Sequence, residues 1–147
     1  ATSLIKTVSG SVTRNADNIS KTNVLNSSND FTFYFEDYVY LNQTSQYFSF
    51  SSPFGAYLSR YAIAQQTLRF RYKSTNYIFS APLGLFKFII KKDNVSMKLF
   101  FNGTLTHTIT TLPTELSTFT LIESSCIKSM FFNSALTDAQ AIQLTTL

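Results

Sequence analysis

The 147-residue sequence has no tryptophan, one cysteine, one histidine, four glycines and three prolines. A lone Cys126 cannot close an internal disulfide, and in its apolar stretch it reads as a small buried hydrophobe. A single histidine, His107, excludes a histidine cluster for zinc. No apolar run reaches the roughly 18 residues a membrane-spanning helix needs, so membrane insertion is not expected. The beginning does not read as a signal peptide, and a first residue that is Ala reads as a processed product or a piece of a longer chain. Charged residues are only 14% of the total, with twelve basic and eight acidic giving a net charge of +4. The basic residues are scattered, with only Lys91 and Lys92 adjacent, which argues against nucleic acid as a partner. Little Ala or Glu argues against a helical bundle.

What is present points to strands. Apolar residues make up 44% of the chain and aromatic ones 16%, while Ser, Thr and Asn supply about a third. That aromatic load excludes disorder as the main state, and the length suits one domain. All fifteen Phe and eight Tyr lie from Phe31 onward. Residues 1–30 therefore read as linker or edge structure.

From Phe31 the pattern has period two. Phe31, Phe33, Phe35, Val39 and Leu41 share one face; Thr32, Tyr34, Glu36, Tyr38 and Tyr40 share the other. Further strands are expected at 47–50, 58–63, 67–73, 77–79, 85–91, 95–101, 104–110, 119–122 and 127–132. About twelve short strands without long helices imply an all-β antiparallel sandwich. Around Asn102-Gly103, a three-residue loop with a left-handed Gly103 would set Leu99 against Leu105, Met97 against His107 and Val95 against Ile109. A two-residue loop would mix apolar with polar, so the bulged turn is expected. The only helix is expected within 133–147, where Thr137 and Gln140 form a capping box and Asp138 puts negative charge in the first turn. Ala139, Ile142 and Leu144 are expected to dock it.

Two segments carry a resemblance. FKFIIKKDNVSMKLFFNGTLTHTI and CIKSMFFNSALTDAQAIQL resemble the strand, Asn-Gly hairpin, closing strand and short helix of the laminin-G/concanavalin A-like lectin superfamily. Phe86 stands where many relatives have Trp. The resemblance implies a jelly-roll β-sandwich over 21–147, with 1–20 as an arm or the end of a preceding domain. TSLIKTVSGSVTRNAD (2–17) is similar to a junction common in bacteriophage tail and fibre proteins, with Leu4 and Lys6 replacing the usual Tyr and Pro. That implies a virion-surface, extracellular setting, with other virion proteins and copies of the chain itself as partners. A bacterial or environmental polysaccharide is the further partner implied. A purely structural assembly domain and a cellular laminin-G-type adhesion module are the rival readings.

The residues do not favour catalysis. Glycosidases need two carboxylates flanking a bond, and the adjacent Glu36 and Asp37 point to opposite faces of a strand. Glu115 and Glu123 sit in turns either side of another. No Ser lies in a Gly-flanked elbow, and His107 reads as structural. Calcium, common in the superfamily, would use Asp93-Asn94 or Asn29-Asp30; both fit turns unaided, so no cofactor is expected. Sequons at Asn18, Asn26, Asn42, Asn94 and Asn102 arise readily in so Asn-, Ser- and Thr-rich a chain, and no glycan is expected on them in a phage.

Nine residues remain as candidates for ligand binding. Arg69 and Arg71 take the outward parity of a strand whose Leu68, Phe70 and Tyr72 point inward. Tyr34, Tyr38 and Tyr40 take the outward parity of theirs. Tyr57, Arg60, Tyr61 and Tyr77 fall in loops or strand ends. Tyrosine rings stack on sugars, and guanidinium groups bind hydroxyls or carboxylates. The same side chains also serve cross-strand pairing or burial against another subunit.

Overall fold

The computed structural model describes residues 19–25, 30–40, 46–51, 55–62, 66–112, 117–121 and 127–147. Eleven strands and one helix occur among them, against the roughly twelve strands expected. The strands are β1 (Ile19–Leu25), β2 (Phe31–Val39), β3 (Gln46–Phe50), β4 (Ala56–Ala62), β5 (Thr67–Tyr72) and β6 (Thr75–Ser80). They continue as β7 (Gly84–Lys92), β8 (Met97–Phe101), β9 (Thr104–Ile109), β10 (Ser117–Leu121) and β11 (Lys128–Phe132), followed by α1 (Asp138–Thr145). A six-stranded antiparallel sheet has the order β1-β10-β3-β4-β5-β6, and a five-stranded one the order β11-β2-β7-β8-β9. Together they form a jelly-roll sandwich. β1 comes from the aromatic-free stretch and forms an edge, with Ile19 opposite Leu121. The 2–17 segment, Asn29, Leu41, Glu115, Glu123 and Cys126 lie outside the described residues.

Phenylalanine fills the space between the sheets. Phe33 of β2 lies 4.9 Å from Phe48 and 5.5 Å from Phe50, both near edge-to-face. Phe35 meets Phe48 at 4.9 Å. Phe86 packs edge-on against Tyr47 at 5.2 Å. Offset and edge-to-face rings are the favoured arrangements, and each such pair adds about 1 kcal/mol beyond the area it buries.

The five-stranded sheet is covered on its outer side as well. Tyr34, Ile89 and Phe100 form a second cluster with Ala141 of α1, joined by Met130, Phe132 and Leu144. This explains the consecutive Phe88, Ile89 and Ile90 in β7: strands buried on both faces lose the alternation that a half-buried strand shows. Thr137 caps α1 with both hydrogen bonds of the capping box in place. Two lysines opposite each other in the sheet, Lys91 and Lys98, both bond the Asp138 carboxylate, Lys98 at 2.6 Å. Thr145 anchors the other end, where its hydroxyl accepts from the Gly103 N–H at 3.1 Å. Ala141, Leu144 and Thr145 face the sheet, whereas Ala139 and Ile142 are exposed, a correction to the expected docking face.

The hairpin differs from the register expected. Phe101 pairs with Thr104 across a two-residue turn whose Asn102 and Gly103 both have positive φ, 45° and 80°. The register then shifts between Leu99 and Phe100, leaving Leu99 opposite His107 and Met97 opposite Ile109. Thr106 is the extra residue of a bulge, and its hydroxyl donates to the Leu99 carbonyl at 2.9 Å. A tight Asn-Gly turn and an apolar inner face coexist because the bulge corrects the parity two residues after the turn.

Candidate functional site

β4 and β5 place a small aromatic and basic group on the outer face of the six-stranded sheet. Ala56, Leu58 and Arg60 point inward along β4, so Tyr57 and Ser59 point outward. Leu68, Phe70 and Tyr72 point inward along β5, leaving Thr67, Arg69 and Arg71 outward. The register lines up Thr120, Ser49, Tyr57, Arg71 and Asn76 in one row across the sheet. Ser59, Arg69 and Ile78 form the next. Diagonal neighbours on one face are within reach of long side chains. Here the Arg69 guanidinium carbon sits 5.4 Å from the centre of the Tyr57 ring.

The arginines differ in setting. Arg69 is half-buried, while Arg71 is exposed and its Nε donates to the Lys73 carbonyl at 3.4 Å. Lys73 begins the β5–β6 turn with φ +53° and holds its ammonium 5.4 Å from the Tyr72 ring. Burial pushes the Tyr72 hydroxyl up to about 12, so it stays protonated under ordinary conditions. The face thus places one ring and two guanidinium groups beside the polar side chains of Ser49, Thr120 and Asn76. This is chemistry for holding a polar ligand, and no carboxylate stands in either row among the described residues.

The remaining candidates are scattered. Tyr34 has the outward parity expected, yet α1 covers it to 4% exposure and its hydroxyl donates to Glu36 at 2.7 Å. Burial first, and then that bond to a carboxylate, raise its pKa. Arg60 is also corrected: it lies inside β4 opposite Leu68, 5% exposed, and is no loop residue. Asp37, fully buried, holds an inward position on the facing sheet. An acid breaking the apolar parity of β2 was the available signal that the interior contains charge. Tyr77 lies within β6 opposite Phe70 and meets His107 edge-on at 5.2 Å, closing the side of the sandwich. Tyr61 falls in β4, and its side chain lies outside the described residues. Tyr38 and Tyr40 are exposed, at 40% and 52%, with rings 5.9 Å apart, on the outer side of the five-stranded sheet and so away from Tyr57.

The sequence missed the members of the rows that are neither aromatic nor basic: Ser49, Ser59, Asn76, Ile78 and Thr120. Lone Ser and Thr residues carry no signal until strand register aligns them. For metal, Asp93 Oδ1 accepts from the Val95 and Ser96 N–H groups, both at 2.8 Å. Those bonds, chiefly, hold its carboxyl below the usual range. No group of three or more His, Cys, Asp or Glu side chains gathers among the described residues. No helix among them is long and apolar enough to cross a membrane.

No protein-family model and no curated protein sequence matches the chain. Solved structures do match. Domain 4 of AbnA, a GH43 extracellular arabinanase from Geobacillus stearothermophilus in complex with arabinotriose, is similar with a TM-score of 0.60 and 18% identity. The match covers 88% of this chain and 72% of that one. The CBM40 of Ruminococcus gnavus IT-sialidase bound to α2,3-sialyllactose is similar at a TM-score of 0.57 and 17% identity, covering 81% and 83%. A human galectin-16 variant matches at a TM-score of 0.56 and 9% identity, over 79% of this chain and 95% of that one. At such identities the likeness is one of fold: the chain shares the jelly-roll sandwich of these carbohydrate-binding and lectin domains.

Proposed function

We propose that this domain binds a glycan without catalysis, on the outer face of the six-stranded sheet. The observation that carries the reading is the assembly of Tyr57, Arg69 and Arg71 on the outer face of one sheet from two adjacent strands. A tyrosine ring offers a stacking surface to the C–H face of a sugar, and planar guanidinium donors match its oxygens. Ser49 and Thr120, both half-buried, continue the row of Tyr57 and Arg71 with polar side chains. Support from outside the chain comes from structural relatives that hold arabinotriose and sialyllactose. An array of plant, animal and bacterial oligosaccharides, probed with the whole chain and with Tyr57→Ala, tests it. Binding that the substitution weakens is expected. No binding to any sugar, or binding indifferent to Tyr57, would overturn the reading.

The setting implied by residues 2–17 would place the domain on a virion surface, with a bacterial or environmental polysaccharide as its ligand. The sequence neighbouring this domain in the full-length chain tests that setting: a tail or fibre segment is expected. The rival reading, an assembly surface, draws on exposed Tyr38 and Tyr40 on the opposite side of the sandwich. Sedimentation of the chain and of a Tyr38→Ser, Tyr40→Ser double variant separates the two, since only an assembly surface changes the oligomer.

A further inference from the structure

We infer that β6 is a docking edge for β6 of a second copy of this chain, joining two six-stranded sheets into one. An edge strand leaves alternate N–H and C=O groups unpaired, and proteins blunt such edges with charge, proline, bulges or a covering segment. Among the described strands, β1, β6, β9 and β11 lie at edges. β1 carries Lys21 and a register shift between Lys21 and Leu25. β9 is broken by the bulge at Thr106. β11 begins with an exposed lysine, Lys128. β6 has none of these devices. Thr75–Ser80 holds no charged residue and no proline, and it pairs with β5 at every position without a shift. The strand beside it on this side of the sandwich is β9, where His107 meets Tyr77, and β9 holds no Asp, Glu, Lys or Arg either. In a chain of net charge +4, that uncharged wall offers a second copy no repulsion.

Which backbone groups face the edge follows from the turn. Lys73 and Ser74 form a two-residue turn that leaves Tyr72 opposite Thr75. The pair closing such a turn is hydrogen-bonded, and bonded and non-bonded pairs alternate from there. Tyr72 with Thr75, Phe70 with Tyr77 and Leu68 with Phe79 are therefore the bonded pairs. The N–H and C=O groups of Asn76, Ile78 and Ser80 point away from β5, toward the edge.

Two antiparallel copies related by a two-fold axis keep like faces together only if the pairing is centred on a residue. Centring on Ile78 sets Ile78 against Ile78 of the partner subunit and Asn76 against Ser80 of the partner subunit. All three edge-facing residues then find counterparts, with about six backbone hydrogen bonds between the strands. On the outer face, Ile78 is 39% exposed in one chain and is covered by its own copy, while an amide meets a hydroxyl. On the inner face, Tyr77 lies opposite Phe79 of the partner subunit. Centring on Tyr77 instead would set Asn76 against the partner's Ile78 and leave Ser80 opposite the turn. The favoured pairing is isologous, so it closes at two copies.

Sedimentation of the whole chain over a wide concentration range should show monomer passing to dimer. Amide exchange at Asn76, Ile78 and Ser80 should slow as the dimer fills. Ile78→Lys sets two ammonium groups side by side at the axis and should raise the dissociation constant about a hundredfold. Ser80→Pro removes an N–H that β5 does not use and should raise it about tenfold. The second variant carries the test should a lysine opposite Arg69 destabilise the fold, which melting of dilute samples reports. A single monomer mass at every concentration, with fast exchange at the three amides, overturns the inference. So does a monomer in which those amides are protected, since a segment of the same chain then covers the edge. A dimer that survives both variants, or that Tyr38→Ser with Tyr40→Ser dissolves, lies on another surface and overturns it too. None of these outcomes bears on whether Tyr57 holds a sugar.

Discussion

Arg69 and Tyr57 are twelve positions apart in sequence, yet the guanidinium carbon of one lies 5.4 Å from the ring centre of the other. The pair arises because β4 and β5 align Tyr57 with Arg71, which puts Arg69 on the diagonal. A cation so placed stiffens the ring and lends it charge, typically with about 1 kcal/mol of attraction.

Tyr57 can therefore be divided into ring and hydroxyl. Tyr57→Phe should keep glycan affinity within about threefold, and Tyr57→Ala should weaken it about tenfold, the scale of one lost aromatic contact. Titration calorimetry on both variants checks this. Equal losses for the two would point to the hydroxyl and away from stacking.

Tyr34 is expected to matter for stability alone. It lies beneath α1 against Ile89, Phe100 and Ala141. Tyr34→Ala should cost about 3 kcal/mol in urea denaturation, as large cavities do. An effect on sugar binding in the folded variant would contradict the assignment of the site to the opposite sheet.

Asp138 links α1 to the sheet through Lys91 and Lys98. Asp138→Asn should cost about 1–2 kcal/mol: the carboxylate is partly exposed, but Lys91 is nearly buried and loses its counter-charge. The two lysine hydrogen bonds hold the Asp138 carboxyl below its ordinary 3.8. Its contribution is complete above the unfolded pKa and is lost as pH falls through the folded one. Acid unfolding followed from pH 6 to 2 should therefore begin to bite near pH 4, less steeply in the variant.

His107 gives the opposite half of the pH curve. Its ring lies 5.2 Å from both Tyr77 and Phe79, and burial lowers its pKa from 6.5. The folded state prefers the neutral ring, so the unfolded state binds more protons below pH 6.5 and stability declines as pH falls from there. The imidazole resonances should titrate with a midpoint under 6.5, and His107→Phe should flatten stability between pH 7 and 5. A midpoint at or above 6.5 would contradict the buried setting.

Gly103 has φ +80°, and a Cβ there would meet Thr146 Oγ1 at 3.1 Å. Gly103→Ala should cost about 1–2 kcal/mol, from left-handed strain in the turn and a pushed helix end. Thermal melting of Gly103→Ala beside Thr106→Val tests turn and bulge separately, the second removing the 2.9 Å bond to Leu99.

Much of the fold was written locally. Alternation is a property of neighbouring residues, so Phe33, Phe35, Leu68 and Phe70 announced their inward faces, and Arg69 and Arg71 their outward ones. The Thr137–Gln140 capping box likewise needs only four consecutive residues to be read. Parity says which side of a strand a side chain leaves from, and nothing about what lies over that side. Tyr34 and Arg71 both point outward, but α1, a hundred residues beyond Tyr34, packs over the sheet of Tyr34, while Arg71 on the other sheet is exposed. The same limit hid the bulge at Thr106, because a tight turn and a core-facing pattern conflict only until one extra residue separates them. Sequence alone determined an antiparallel sandwich with a phenylalanine core and a capped helix. The tertiary structure decided which tyrosines stay exposed and brought Tyr57 to Arg69, since cross-strand register and helix docking are settled by contacts between distant segments.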